Sequence, residues 1–279
     1  AVAFVTPTSA NRSLPFRRYF TFMWLLLGIQ FMIWGWVIGE DEVVLTFLIG
    51  TGVLVFLGMW FGIGGRDDLS ARVRKQIPES ILSRSFAFYF YNGTFSCLLW
   101  LMGIWMGTMV MVAICNFFWI QYQTRSFFSG DLELIYLGAS LFILYAFAYA
   151  LFSIWLQRRW LSRITPKLAC LFFFILTVIP YILIQIVSLI VTQDSIDSDI
   201  PLPGVILDLF NIFDHYSRFG YHLYYHLAAV LVMIGFGLLL NLKWIQSQIS
   251  QFTPFTKPTT MPPPSQPEPH AGEPPPVIS

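Results

Sequence analysis

The sequence predicts an all-α integral membrane protein with six transmembrane helices, both termini cytoplasmic, and a short re-entrant or interfacial helix before the last span. Three observations carry this prediction. Of the 279 residues 56% are hydrophobic and only 11% charged, less than half of the roughly 25% charge of an ordinary soluble domain. The mean hydropathy of +0.67 comes from apolar runs that reach the roughly 20 residues needed to cross a bilayer. The charges between those runs alternate in sign along the chain.

The cytoplasmic N-terminal segment, residues 1–18, carries Arg12, Arg17 and Arg18. The first run, 19–38, follows without a small-residue cleavage site and is therefore expected to stay as a helix. Glu40, Asp41 and Glu42 lead into the second run, 43–63, and a basic connection with Arg66, Arg72, Arg74, Lys75 and Arg84 leads into the third, 86–120. The only polar interruption of the third run is Asn92-Gly93-Thr94, so one long helix is expected. Asp131 and Glu133, with Arg125, precede the fourth run, 134–156; Arg158, Arg159, Arg163 and Lys167 precede the fifth, 168–191, in which Pro180 predicts a kink. Asp194, Asp197 and Asp199 follow it, and the sixth run, 223–242, closes a membrane domain spanning residues 19–246.

All of the 16 basic residues except Arg125 and Arg218 then fall on one side, a strong positive-inside asymmetry. Splitting the third run into two crossings would move the cluster Arg158 to Lys167 to the outside. Trp24, Trp34, Trp36, Trp119, Trp155, Trp160 and Trp244 lie near the predicted helix ends and read as headgroup-level anchors. From Phe252 onward ten of the 28 residues are proline, and residues 247–279 are expected to form a disordered cytoplasmic tail.

The same composition narrows the function. A net charge of +1 offers no basic field for nucleic acid. Cys97, Cys115 and Cys170 sit in apolar runs without metal-ligand spacing and read as small buried hydrophobes. No serine-nucleophile elbow, zinc-protease helix or phosphate-binding loop occurs, so no catalytic residue is expected. The polar residues of the helix centres are neutral, such as Gln30, Asn92, Asn116 and Gln185, which speaks against proton- or cation-coupled transport.

Two connections stand out. In Gly64 to Ser85, Asp67 and Asp68 are N-cap candidates, Leu69, Val73 and Ile77 recur at spacing four, and Pro78 breaks the pattern. A short amphipathic helix fits, its basic side holding Arg72, Arg74 and Lys75 against anionic lipid or a cytoplasmic partner. Residues 204–220 are apolar but too short to span, and Asp208, Asn211, His215 and Arg218 recur at spacings of three, four and three on one helix face. His222 and His226 share a face at the mouth of the sixth helix, near His215. One helix face supplies at most two close ligands, so we expect no metal and no cofactor, with both histidines among interfacial tyrosines and tolerant of substitution.

The stretch Leu209-Phe-Asn-Ile-Phe-Asp-His-Tyr-Ser-Arg-Phe-Gly220 and the Tyr/Leu-rich helix after it, together with six spans and a basic loop after the second, resemble the permease subunit of an ABC-2-type transporter. The loop carries Gly64, Gly65, Asp67, Asp68 and Pro78 in place of the family's Glu-containing pattern. The resemblance implies a homo- or heterodimer of six-helix subunits in the cell membrane, driven by a separate ABC ATPase that faces Arg72, Arg74 and Lys75. Asp208, Asn211, His215 and Arg218 would belong to the outer gate. The competing expectations are an accessory or assembly subunit of a larger membrane complex, and a haem- or metal-binding redox protein using the histidines.

Overall fold

A computed structural model describes residues 13–38, 41–63, 74, 77–91, 93–123, 130–160, 168–192 and 220–253, and all regular structure among them is helical. The helices are α1 (Ser13–Ile38), α2 (Asp41–Ile63), α3 (Ile81–Phe90), α4 (Thr94–Gln123), α5 (Gly130–Trp160), α6 (Leu168–Thr192), α7 (Gly220–Leu240) and α8 (Leu242–Gln251). Four stretches are long and apolar enough to cross a membrane: Phe16–Ile38, Glu42–Ile63, Thr94–Phe118 and Tyr136–Trp160. α7 and α8 form a further apolar pair bent by 62°. The bend falls at Asn241, whose Nδ2 donates at 2.9 Å to the carbonyls of both Leu151 and Gly237.

α5 lies at the centre. Of its spanning stretch 67% is buried inside the bundle, against 17% for α1. α5 packs on α2, α6 and α7, while α4 packs on α1, α2 and α3. Lipid tails are as apolar as leucine, so association of such helices depends on close packing rather than on expulsion of water. Glycines provide it. A Cβ on Gly58 would stand 2.8 Å from a Leu101 methyl, one on Gly62 2.8 Å from Cys97 Sγ, one on Gly52 3.4 Å from Trp105, and one on Gly107 2.8 Å from Trp24. Large side chains of one helix thus seat in notches of the other.

The pairings fix the relative directions. Gly52 faces Trp105, Gly58 faces Leu101 and Gly62 faces Cys97, so α2 and α4 are antiparallel. Arg17 meets Ser96, Thr21 meets Trp100 and Trp24 meets Gly107, so α1 and α4 are parallel. Tyr145 meets His226, Phe152 meets Phe236 and Arg158 meets Trp244, so α5 runs parallel to α7 and into α8. The start of α1, all of α3, the start of α4, the end of α5 and α8 therefore gather at one end of the bundle. The described basic residues Arg17, Arg18, Arg74, Arg84, Arg158, Arg159 and Lys243 all belong to these segments or the connection leading into α3.

Several expectations are corrected. The run 86–120 is not one helix: α3 stops at Phe90 and α4 starts at Thr94, with Tyr91 extended (φ −79°, ψ 166°) and Gly93 at φ 157°. The first helix begins at Ser13 rather than at residue 19, so Arg17 and Arg18 belong to it instead of to a solvated segment. The C-terminal tail does not start at 247, because α8 continues to Gln251 and Phe252 packs edge-on against Phe88 and Tyr91, with ring centroids 5.3 and 5.0 Å away. Trp24 and Trp244 are buried rather than interfacial anchors; Trp34, Trp36 and Trp160 are exposed on the bundle surface.

Candidate functional site

The most polar constellation in the described bundle is built around Arg17. Its side chain is only 5% exposed. Nη1 donates to the Tyr91 carbonyl at 2.6 Å and to Ser96 Oγ at 3.0 Å, with the Tyr89 carbonyl more distant at 3.4 Å. Two hydrogens serve the two nearer acceptors, so the third contact is weak. Its bonding partners among the described residues are carbonyls, a hydroxyl and the Cys97 thiol rather than a carboxylate.

These carbonyls belong to the C-terminal end of α3, where intrahelical partners run out and the helix dipole is negative. Arg17 thus caps α3 from a different helix, and the cap compensates part of the cost of burying the cation. Ser96 Oγ donates to the same Tyr91 carbonyl at 2.6 Å. The guanidinium also stands 5.5 Å from the Trp100 ring centroid, within cation–π range. Trp100 Nε1 donates to Thr21 Oγ1 at 2.9 Å, and Thr21 Oγ1 donates to the Arg17 carbonyl at 2.7 Å. Tyr89 Oη donates to the Trp100 carbonyl at 3.3 Å. The result is a closed polar loop through α1, α3 and α4.

α8 is attached to the same region. Trp244 packs edge-on against Phe95 at 5.9 Å and lies beneath Arg158 at 4.7 Å, while Phe252 joins Phe88 and Tyr91. The segment before α3 is tightened by Arg84, whose Nη2 donates to the Glu79 carbonyl at 2.7 Å and whose Nε donates to the Pro78 carbonyl at 3.3 Å. In mechanical terms, α3 is clamped to α1, to α4 and, through Phe252, to the C-terminal end of α8. In chemical terms, the described residues gather hydroxyls, carbonyls, one thiol and a fixed cation here, with no base beside the thiol and too few ligands for a metal.

Of the residues singled out in the sequence, Arg74 is half-buried and its carbonyl accepts from Ile77 N at 3.3 Å. Arg72 and Lys75, and likewise Asp208, Asn211, His215 and Arg218, lie outside the described residues, as do Leu69 and Val73 of the proposed amphipathic helix. His226 is described, and its place corrects the interfacial expectation. It is fully buried, with Nδ1 3.1 Å from Tyr145 Oη, and that hydroxyl also lies 3.3 Å from the His226 carbonyl. If the single tyrosine hydrogen goes to the carbonyl, Nδ1 must carry a proton and donate to Oη. The histidine is therefore a strut between α5 and α7. Among the described residues no three His, Cys, Asp or Glu side chains converge on a point.

A second feature is an apolar groove of about 410 Å³ between α1 and α4, toward the ends of both helices that lie away from Arg17. Ile29, Ile33 and Trp36 line one wall and Met111, Ile114 and Phe118 the other. Among the described residues its lining is apolar apart from the Cys115 thiol.

Sequence reasoning missed the Arg17 site because it needs a helix break that the apolar run conceals. The signal available was Gly93 beside Asn92, with Ser96 and Thr94 just after it. Comparison of the chain with family models, with curated proteins and with solved structures finds no match.

Proposed function

We propose that the chain is the membrane-spanning permease subunit of an ABC-2-type exporter. The observation that carries this reading is the clamped α3. A transporter whose ATPase is a separate polypeptide needs an intracellular element stiff enough to pass force into the spanning helices. We assign this role to the segment 77–91, which is held to α1 and α4 through Arg17 and to Phe252 through aromatic contacts.

In this reading α6 and the bent α7–α8 unit complete six spans in the cell membrane, with the basic end of the bundle and both termini cytoplasmic. Arg72, Arg74 and Lys75 face the ATPase, two subunits pair to form the pathway, and residues 204–220 close its outer end. The chain itself performs no covalent chemistry. Its role is to convert movement of the docked ATPase into a change of helix packing, using α3 as the arm.

The test is purification of the full chain from its own membranes in mild detergent, followed by identification of the chains that come with it. A nucleotide-binding chain is expected, and Arg72→Glu, Arg74→Glu and Lys75→Glu together should release it while the membrane domain melts as before. If no nucleotide-binding chain accompanies the wild-type protein, the permease reading fails and an accessory subunit of a larger complex takes its place.

A further inference from the structure

α3 carries a feature that its clamping does not explain. Its inner side, Ala87 and Phe90, is buried against the bundle, but Ile81, Leu82 and Phe86 are 77%, 84% and 68% exposed. Leu82 and Phe86, four apart, share one face and Ile81 lies about 100° round the helix from Leu82, so the exposed side of α3 is a broad apolar strip, interrupted by Ser85, at the basic end of the molecule. The helix is too short to span a bilayer, and its strip is bordered by cations. Arg18 is exposed and holds its guanidinium 5.9 Å from the Phe90 ring centroid at one end; Arg84 stands on the N-terminal half. From Arg84 to Phe90 the helix rises about 9 Å at 1.5 Å per residue. Glu79, whose side chain is exposed, is the only acidic residue within α3 or its described approach.

An apolar strip flanked by basic side chains is complementary to an anionic lipid leaflet, in which acyl chains receive the strip while headgroup phosphates receive the guanidinium groups. We propose that α3 is a lipid-responsive element: Ile81, Leu82 and Phe86 enter the bilayer interface, and Arg18 and Arg84 hold the headgroups of anionic phospholipids there. Since the C-terminal end of α3 is tied to α1 and α4 by Arg17, the composition of that leaflet acts on the packing of the spanning helices. The inference stands on the exposed strip and its charges, whatever the chain transports.

The experiment places the full wild-type chain in nanodiscs of phosphatidylcholine alone or of equal parts phosphatidylcholine and phosphatidylglycerol, and follows amide hydrogen exchange across residues 81–90. A basic side chain near an anionic leaflet gains roughly 1 kcal/mol, about a fivefold change in an equilibrium constant. Exchange in α3 should therefore slow by about fivefold or more with phosphatidylglycerol, and high salt should cancel the difference. Arg18→Gln should remove about one such factor, whereas Arg84→Lys, which keeps the charge, should retain the lipid effect. Equal exchange in both lipids, or protection that arises only when a protein partner is added, would overturn the proposal.

Discussion

Replacing Arg17 by alanine removes two short hydrogen bonds from a buried cation, at 2.6 Å to the Tyr91 carbonyl and 3.0 Å to Ser96 Oγ. Buried hydrogen bonds to charged groups contribute about 1.5–3 kcal/mol each, so the two together stand for about 3–6 kcal/mol. The Tyr91 carbonyl and Ser96 Oγ keep each other as partners at 2.6 Å, so neither acceptor is orphaned and the lower end, about 3 kcal/mol, is expected. Loss of contact with the Trp100 ring adds to this, while relief from burying the cation subtracts. In neutral detergent the Arg17→Ala protein should therefore melt clearly below wild type, with limited proteolysis opening the chain first around Tyr91–Gly93. Arg17→Lys should recover only part of the loss, because a lysine ammonium lacks the planar spread of donors. Arg18→Ala, at an exposed position one residue away, should melt within about 0.5 kcal/mol of wild type. If Arg17→Ala and Arg18→Ala melt together, the cap on α3 is not what fastens it to α1 and α4.

Further outcomes are expected elsewhere. His226→Ala should cost about 2–4 kcal/mol through lost packing and the bond to Tyr145, and Tyr145→Phe about 1 kcal/mol, both read by thermal melting. Gly107→Ala should destabilise by about 1–3 kcal/mol against Trp24, whereas Gly50→Ala, where a Cβ meets nothing within 4 Å, should be neutral or slightly stabilising. In intact cells an impermeant thiol reagent should label a cysteine placed at Glu40 or Ser198 but not one at Ser70; labelling at Ser70 would reverse the proposed sidedness.

The helical class and the rough extents of most helices were legible because each depends on local apolar length alone. α2 was expected at 43–63 and is seen at Asp41–Ile63; α6 was expected at 168–191 and is seen at Leu168–Thr192. What was not legible depends on partners distant in sequence. The break at Tyr91–Gly93 lies between Phe90 and Thr94, where the run shows only the short polar interruption Asn92-Gly93-Thr94, and it is held by an arginine more than 70 residues earlier. Arg17 itself read as a topology signal, since a charge beside an apolar run is ordinarily solvated. Trp24 and Trp244 sit where anchors sit, but Gly107 leaves room for one and Arg158 covers the other. His226 shares its local pattern with interfacial histidines and is distinguished by its burial against Tyr145, 81 residues away.

The notches between α2 and α4 also limit how the molecule can move. With Trp105 seated at Gly52 and Leu101 at Gly58, the two helices engage like a toothed rack. A slip of one turn, about 5.4 Å, would carry Trp105 onto Phe56 in one direction or Leu48 in the other, and neither has space to receive an indole. Sliding between α2 and α4 is therefore blocked, and any large rearrangement must carry them together as a single lever, with α1 and α3 attached through Arg17. On the far side α4 touches α5 lightly, through Tyr136 and Ser140 against Met109, whereas α2 packs along α5, so the lever is anchored to the rest of the bundle through α2 and any swing must turn on that contact.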